Sequence, residues 1–290
     1  MTSDLAGGAP AYSAGRTLGL RVELYRQLRR RRTQLALGFL VVLPFLLLLA
    51  FTLGSGNSNN EGRQSGQLVD LATSSGLNFV TFALFASVGF LLIVIVALFF
   101  GDTIASEASW STLKYLLVIP VPRVRLLRQK AVVAGALSLL GLVVLPLVAL
   151  LVGVTVYGTG DMVSPTGQAL AFWPGVGRLG LTVVYLAVQL SWVAGLAQLL
   201  SVTTDAPLGA VGGAVLVSIL SQILDSITAL GGLREYLPTH YSYAWSDLFN
   251  GALGDLDWND LVRGVLSALI YAALFTTLAV RRFSRKDITS

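Results

Sequence analysis

Six apolar stretches, each near the length of a membrane crossing, constrain this chain more than any motif it carries. They run from Gln34 to Leu53, Leu77 to Phe100, Ala131 to Val152, Leu179 to Val202, Leu208 to Leu230 and Gly264 to Val280. A helix rising about 1.5 Å per residue needs about 20 apolar residues to cross roughly 30 Å of hydrocarbon. Composition agrees, because 54% of the residues are hydrophobic, only 12% are charged and mean hydropathy is +0.75. That is more apolar surface than a soluble fold buries. The expected fold class is all-α, a polytopic membrane protein with six transmembrane helices across 34–280.

Charge orients these spans. Of the twenty Lys and Arg residues, sixteen fall on one side of the six-span arrangement. Arg16, Arg21, Arg26, Arg29, Arg30, Arg31 and Arg32 precede the first span; Lys114, Arg123, Arg125, Arg128 and Lys130 lie between the second and third; Arg281, Arg282, Arg285 and Lys286 follow the last. The other side holds Arg63, Arg178, Arg234 and Arg263. Basic flanks face the cytoplasm, so both termini are expected there. An even number of crossings requires the same. The preference for Arg over Lys, with abundant Ala, Gly, Val and Leu, suits a bacterial plasma (inner) membrane. The basic residues flank spans, so the expected surface partner is the lipid membrane and not nucleic acid. Cysteine is absent, which excludes disulfides, thiolate metal sites and cysteine nucleophiles.

Residues 1–15, rich in Gly, Ala and Ser, are expected to be a disordered tail. Residues 16–33 are expected to form an amphipathic helix lying in the membrane interface, with Leu18, Val22, Tyr25, Leu24 and Leu28 on one face and Arg and Gln opposite. The arginine run has a twin-arginine flavour. The apolar stretch after it is longer than a signal core, however, and has no A-x-A cleavage site. A retained first span is therefore expected. Residues 281–290 are expected to be a basic cytoplasmic tail.

The loop 101–130 reads "GDTIASEASWSTLKYLLVIPVPRVRLLRQK". Trp110, Leu113, Leu116 and Leu117 make a short apolar stripe beside Glu107, Thr112 and Lys114. Pro120 and Pro122 should then end one helix and open the next. A rigid elbow is expected, with Arg123, Arg125, Arg128 and Lys130 on its second arm.

This loop resembles the first cytoplasmic loop of type-2 ABC transporter permeases, which commonly reads Glu, a few residues, G-T-L-K, a leucine pair, then P-x-x-R and a further basic residue. The matching positions are Glu107, Thr112, Lys114, Leu116, Leu117, Pro120, Arg123 and Lys130; Ser111 stands where the family usually carries glycine. The resemblance extends to the basic amphipathic helix, the six spans, a short turn before the fifth span and an aromatic-rich segment before the sixth. It implies a coupling helix in which Glu107, Trp110, Thr112, Leu113, Lys114, Leu116, Leu117, Pro120 and Arg123 contact a separate cytoplasmic ATP-binding cassette ATPase. No G-x-x-x-x-G-K-[ST] and no LSGGQ-like signature occurs in the 290 residues. No cofactor is therefore expected in this chain, and ATP and Mg are expected in the partner ATPase. Six spans are half of the usual twelve, so a second permease subunit is expected, giving a homodimer or a heterodimer. Export is the favoured direction.

In the turn "TTDAP", Asp205 is expected to cap and Pro207 to open the fifth helix. In the loop 231–263, Leu237, Tyr241, Trp245 and Leu248 recur at helical spacing, and the family likeness implies re-entrant helices over a substrate cavity. An interfacial aromatic anchor is the plainer role. A catalytic function is not expected: His240 is the sole histidine, and neither H-E-x-x-H nor G-x-S-x-G is present. The alternative to an ATP-driven permease is an ion-coupled secondary carrier, for which Asp225 would be the intramembrane acid. Asn78, Phe79, Phe82, Phe85 and Phe90 of the second span, with Ser218, Ser221 and Gln222 of the fifth, are the expected substrate pathway. In the family likeness these two spans border the central cavity. The same aromatic stripe would also serve packing or lipid contact. Gln189, Ser191 and Trp192 in the fourth span would serve equally as helix–helix glue.

Overall fold

The computed structural model describes residues 19–54, 69–109, 123–164, 167–249 and 258–285. The chain is an all-α polytopic membrane protein. Among the described residues, five helices are long and apolar enough to cross a membrane, and a bent pair makes a sixth span. A short helix, α1 (Leu20–Leu28), leads into α2 (Arg31–Gly54), the first span. The second span is the bent pair α3 (Gly76–Val88) and α4 (Leu91–Ser109), inclined to one another by 55°. Next come α5 (Arg123–Tyr157) and a hairpin of β1 (Met162–Val163) antiparallel to β2 (Ala169–Leu170). Helices α6 (Phe172–Gln189) and α7 (Ser191–Thr203) meet at Leu190 and form the fourth span. The fifth is α8 (Pro207–Ser226); 3-10 segments Thr228–Tyr236 and Ala244–Phe249 then lead to the last span, α9 (Trp258–Arg285).

Helices overrun the apolar stretches. The second span continues past Phe100 to Ser109, and the third begins at Arg123 instead of Ala131. The expected loop 101–130 thus has helical arms on both sides of residues 110–122, which lie outside the described residues. Polar residues join a helix at this depth when partners offset their desolvation. Asp102, Thr103, Ser106 and Glu107 are all buried. The expected tail 1–15 and the second half of the expected tail 281–290 fall in 1–18 and 286–290, outside the described residues, while Arg281–Arg285 continue α9.

Two expectations about α1 and α8 are corrected. Leu24 and Leu28 pack against the core, but Val22 and Tyr25 are exposed. At 100° per residue Val22 and Leu24 stand about 200° apart, so the five apolar residues cannot share one face. The N-cap position of α8 is Ala206 and not Asp205, and Pro207 sits at the first turn as expected. It is the Thr204 hydroxyl that accepts the Ala206 amide, at 3.2 Å.

Small residues set the closest helix crossings, as is usual where lipid removes the hydrophobic drive for helix association. A Cβ on Gly153 of α5 would stand 2.8 Å from the Gly76 carbonyl of α3. One on Gly195 of α7 would stand 3.1 Å from the Ala272 carbonyl of α9, and one on Gly101 of α4 would stand 3.2 Å from the Val211 amide of α8. The second and fifth spans therefore touch. The expected helical segment around Leu237 to Leu248 is instead turns and a 3-10 helix. Its spacing still buries Tyr241, Trp245 and Leu248, because one side of the segment faces the helices beneath.

Candidate functional site

The helices leading into and out of residues 110–122 are tied to α1 by charge. Glu107, on the last turns of α4 and 4% exposed, accepts from Arg26 of α1 at 3.0 Å and from Lys130 of α5. Lys130, 5% exposed, also reaches Glu23 of α1 at 3.5 Å. Glu23 in turn pairs with Arg26 at 2.8 Å. Earlier on α4, Asp102 pairs with Arg30 at 2.9 Å and with Arg32 at the start of α2. A buried charge is tolerable only when paired, so α1, α2, α4 and α5 each hold one another's ions in place. Burial pushes the Glu23 carboxyl up, but Lys130, Arg26 and Gln27 outweigh it and hold the group below its ordinary value of 4.5.

A hydroxyl and an apolar cluster extend this clamp to the remaining helices. The Ser201 hydroxyl of α7 accepts the backbone amides of Ile104 and Ala105 of α4 at 3.0 and 3.1 Å. Ile104, Leu126, Leu127, Val202 and Phe283 form a buried cluster beside it, drawn from α4, α5, α7 and α9. Both arms of the 110–122 segment are thus fixed to a single unit.

Of the residues expected in the ATPase contact, Glu107 is the one whose side chain the structure describes, and it sits inside the clamp. Arg123 opens α5. Trp110, Thr112, Leu113, Lys114, Leu116, Leu117 and Pro120 lie outside the described residues. Sequence reasoning missed Asp102 and Ser201. An acid placed directly after the apolar run "LFFG", in a chain with a preceding arginine run, was the available signal for Asp102. Nothing in the sequence marks Ser201.

The expected substrate-pathway residues separate. Phe79 is fully buried, with its ring 6.1 Å from Phe51 and 5.7 Å from Tyr157, and Phe82 lies 5.1 Å from Phe51. Both face the first span. Phe85, 53% exposed, instead meets Tyr243 at 4.7 Å and Trp245 at 6.3 Å. Three-residue spacing falls short of a full turn, so Phe79 and Phe85 point about 120° apart. Asn78 turns to the hairpin: its side chain donates to the Val163 carbonyl at 2.8 Å and accepts the Val163 amide at 3.0 Å. Ser218 is buried and donates to the Ala214 carbonyl of its own helix at 2.8 Å. Gln222 crosses to the second span and donates to the Gly89 carbonyl, at the bend, at 2.7 Å. Phe85, Tyr243, Gly89 and Gln222 are therefore brought together. Phe79 and Phe82 are not part of that group.

At this end of the molecule, opposite the clamp, helices pin the 228–249 segment through its backbone. Arg178 and Tyr185 of α6 donate to the Leu248 and Tyr241 carbonyls, both at 2.7 Å. Gln189 donates to the Pro238 carbonyl at 2.9 Å, so it holds this segment and not a neighbouring helix. Tyr271 of α9 donates to Tyr236 at 2.6 Å. From α8, Ser221 bonds Thr239 at 2.7 Å and Asp225 bonds His240 Nδ1 at 2.5 Å. These contacts make a cover over the α4–α8 seam.

No curated protein matches the chain. A family model described as a protein of unknown function (DUF2705) matches residues 67–289, a stretch that takes in both arms of the clamp, the bent span and the cover. Because that match extends over most of its length, the chain belongs to the DUF2705 family.

Proposed function

We propose that the chain is the permease subunit of an ATP-binding cassette exporter in the plasma membrane, with both termini cytoplasmic. It moves a hydrophobic or amphipathic substrate by alternating access, driven by a separate ATPase. The observation that carries this reading is the charged clamp. Residues 110–122, where the type-2 permease pattern falls, are flanked by two helices that share buried ions with α1. A push on that segment meets one unit rather than two loose helix ends. At the far end, the bend at Gly89 and the cover at 228–249 supply parts that can rearrange around the seam. A second permease subunit would complete the translocation path.

The test is reconstitution with the candidate ATPase in proteoliposomes, with ATP hydrolysis and substrate efflux measured together. Replacing Trp110 and Leu113 by Ala is expected to cut transport about tenfold while hydrolysis continues. Unchanged transport contradicts the reading. The second reading, an ion-coupled carrier, is favoured by the Asp225 and His240 pair beside the seam. On that reading Asp225→Asn abolishes transport, and transport needs no ATPase.

A further inference from the structure

Three spans carry an exposed apolar row that ends, always at the clamp end of the molecule, in arginine. On α2, Leu35, Phe39, Leu46 and Leu53 are exposed at helical spacing, and Arg31 stands one turn ahead of Leu35 on the same side. On α5, Arg128 stands one turn ahead of exposed Val132, whose row continues through Leu139 and Val143. On α9, exposed Ile270, Leu274 and Leu278 lead to Arg281 and Arg282.

Four other cations near the clamp differ from these. Arg26, Arg30, Arg32 and Lys130 are engaged with Glu23, Asp102 and Glu107. Arg31, Arg128, Arg281 and Arg282 are exposed, and none has a carboxylate partner among the described residues. Exposed leucine rows on a membrane span are the surface that acyl chains cover. A guanidinium that extends such a row past its end therefore sits at headgroup depth, beside lipid, with a stem long enough to reach a phosphate. Helix α1 adds to this collar. Val22 and Tyr25 are 72% and 57% exposed, and Arg29 lies over the Tyr25 ring at 4.5 Å. The opposite end has the reverse character: Arg263 is paired with Glu235, and Asp70, Asp161 and Asp260 are exposed.

We propose that this arginine collar binds the phosphates of anionic phospholipids, and that Arg31, Arg128 and Arg282 each anchor a headgroup on the lipid-facing edge of its span. Guanidinium forks match phosphate oxygens in pairs, which gives the site its chemistry. An acidic protein surface would satisfy the same charge. The continuity of each arginine with a lipid-facing row favours lipid.

Native mass spectrometry of the full chain in detergent, without any ATPase, tests this by titration with phosphatidylglycerol or phosphatidylcholine of the same acyl chains. Phosphatidylglycerol is expected to be retained preferentially. Each of Arg31→Gln, Arg128→Gln and Arg282→Gln should weaken that retention about fivefold. The corresponding Lys variants should keep part of the preference, falling between wild type and Gln, because charge is retained while the paired guanidinium contacts are lost. In the wild-type chain, added salt should weaken it. Equal binding of the two lipids overturns the proposal. So does a preference that survives all three Gln substitutions, which would assign the arginines to a protein partner or to orientation alone. Should the triple variant fail to fold, a wild-type preference that ignores salt overturns it equally.

Discussion

Glu107 and Lys130 are both nearly inaccessible to solvent and touch one another, so each is the other's nearest counter-ion, with Arg26 and Glu23 as the outer partners of the pair. Glu107→Ala leaves the buried Lys130 ammonium with only the longer contact to Glu23, at 3.5 Å, and should destabilise the chain by about 3 kcal/mol, read as loss of denaturant resistance in detergent. Glu107→Leu combined with Lys130→Met should recover most of that loss, because no unpaired charge is left. Equal losses in the single and double variants would contradict the pairing. Glu23 gives the clamp a pH dependence of definite sign. Its pKa is held below the ordinary 4.5, so its contribution is present above that value and disappears as pH falls through the lowered folded pKa. Protease cleavage or hydrogen exchange within α1 should rise in that acid window, and Glu23→Gln should flatten the response.

Among elements, the bend between α3 and α4 and the crossing of α3 with α5 are the most exacting. Gln222 supplies the donor that the Gly89 carbonyl receives at the bend. Gln222→Leu should cost about 1–3 kcal/mol and loosen the bend, visible as faster hydrogen exchange around Gly89. Gly153→Ala places a methyl against the backbone of Gly76, with no flexible side chain to give way, and should lower the melting temperature by forcing the two helices apart. Exchange or melting unchanged from wild type would contradict these packing claims. The existence of the spans is legible in the sequence because each apolar run is long and uninterrupted. Their extensions are not, because Asp102 and Glu107 read as loop until the arginines 72 and 81 positions away are brought beside them. The phenylalanines of the second span mislead for a different reason: spacing fixes the angle between Phe79 and Phe85 but not which neighbour each meets. The cover segment shows the same limit, since helical spacing there identifies the buried residues Tyr241, Trp245 and Leu248 without identifying their backbone form.

Across the whole molecule, one end gathers paired acids and a basic collar, and the other gathers aromatic residues and carbonyls held by α6 and α9. The apolar core joins them without a break from α2 to α9. This polarity suits the proposed permease, which would be driven from one face and open at the other. On the proposed orientation, force enters at 110–122, passes through the clamp to α4 and α5, and reaches the bend at Gly89 and the cover beyond it. The absence of cysteine makes the entry point directly testable. A single thiol introduced at Lys114, carrying a cleavable crosslinker, can be used in intact cells that express the candidate ATPase. The account predicts a crosslinked product containing an ATP-binding cassette protein, lost when Trp110 and Leu113 are replaced by Ala. Labelling of that thiol by an impermeant reagent from outside the cell, with no ATPase captured, would contradict it.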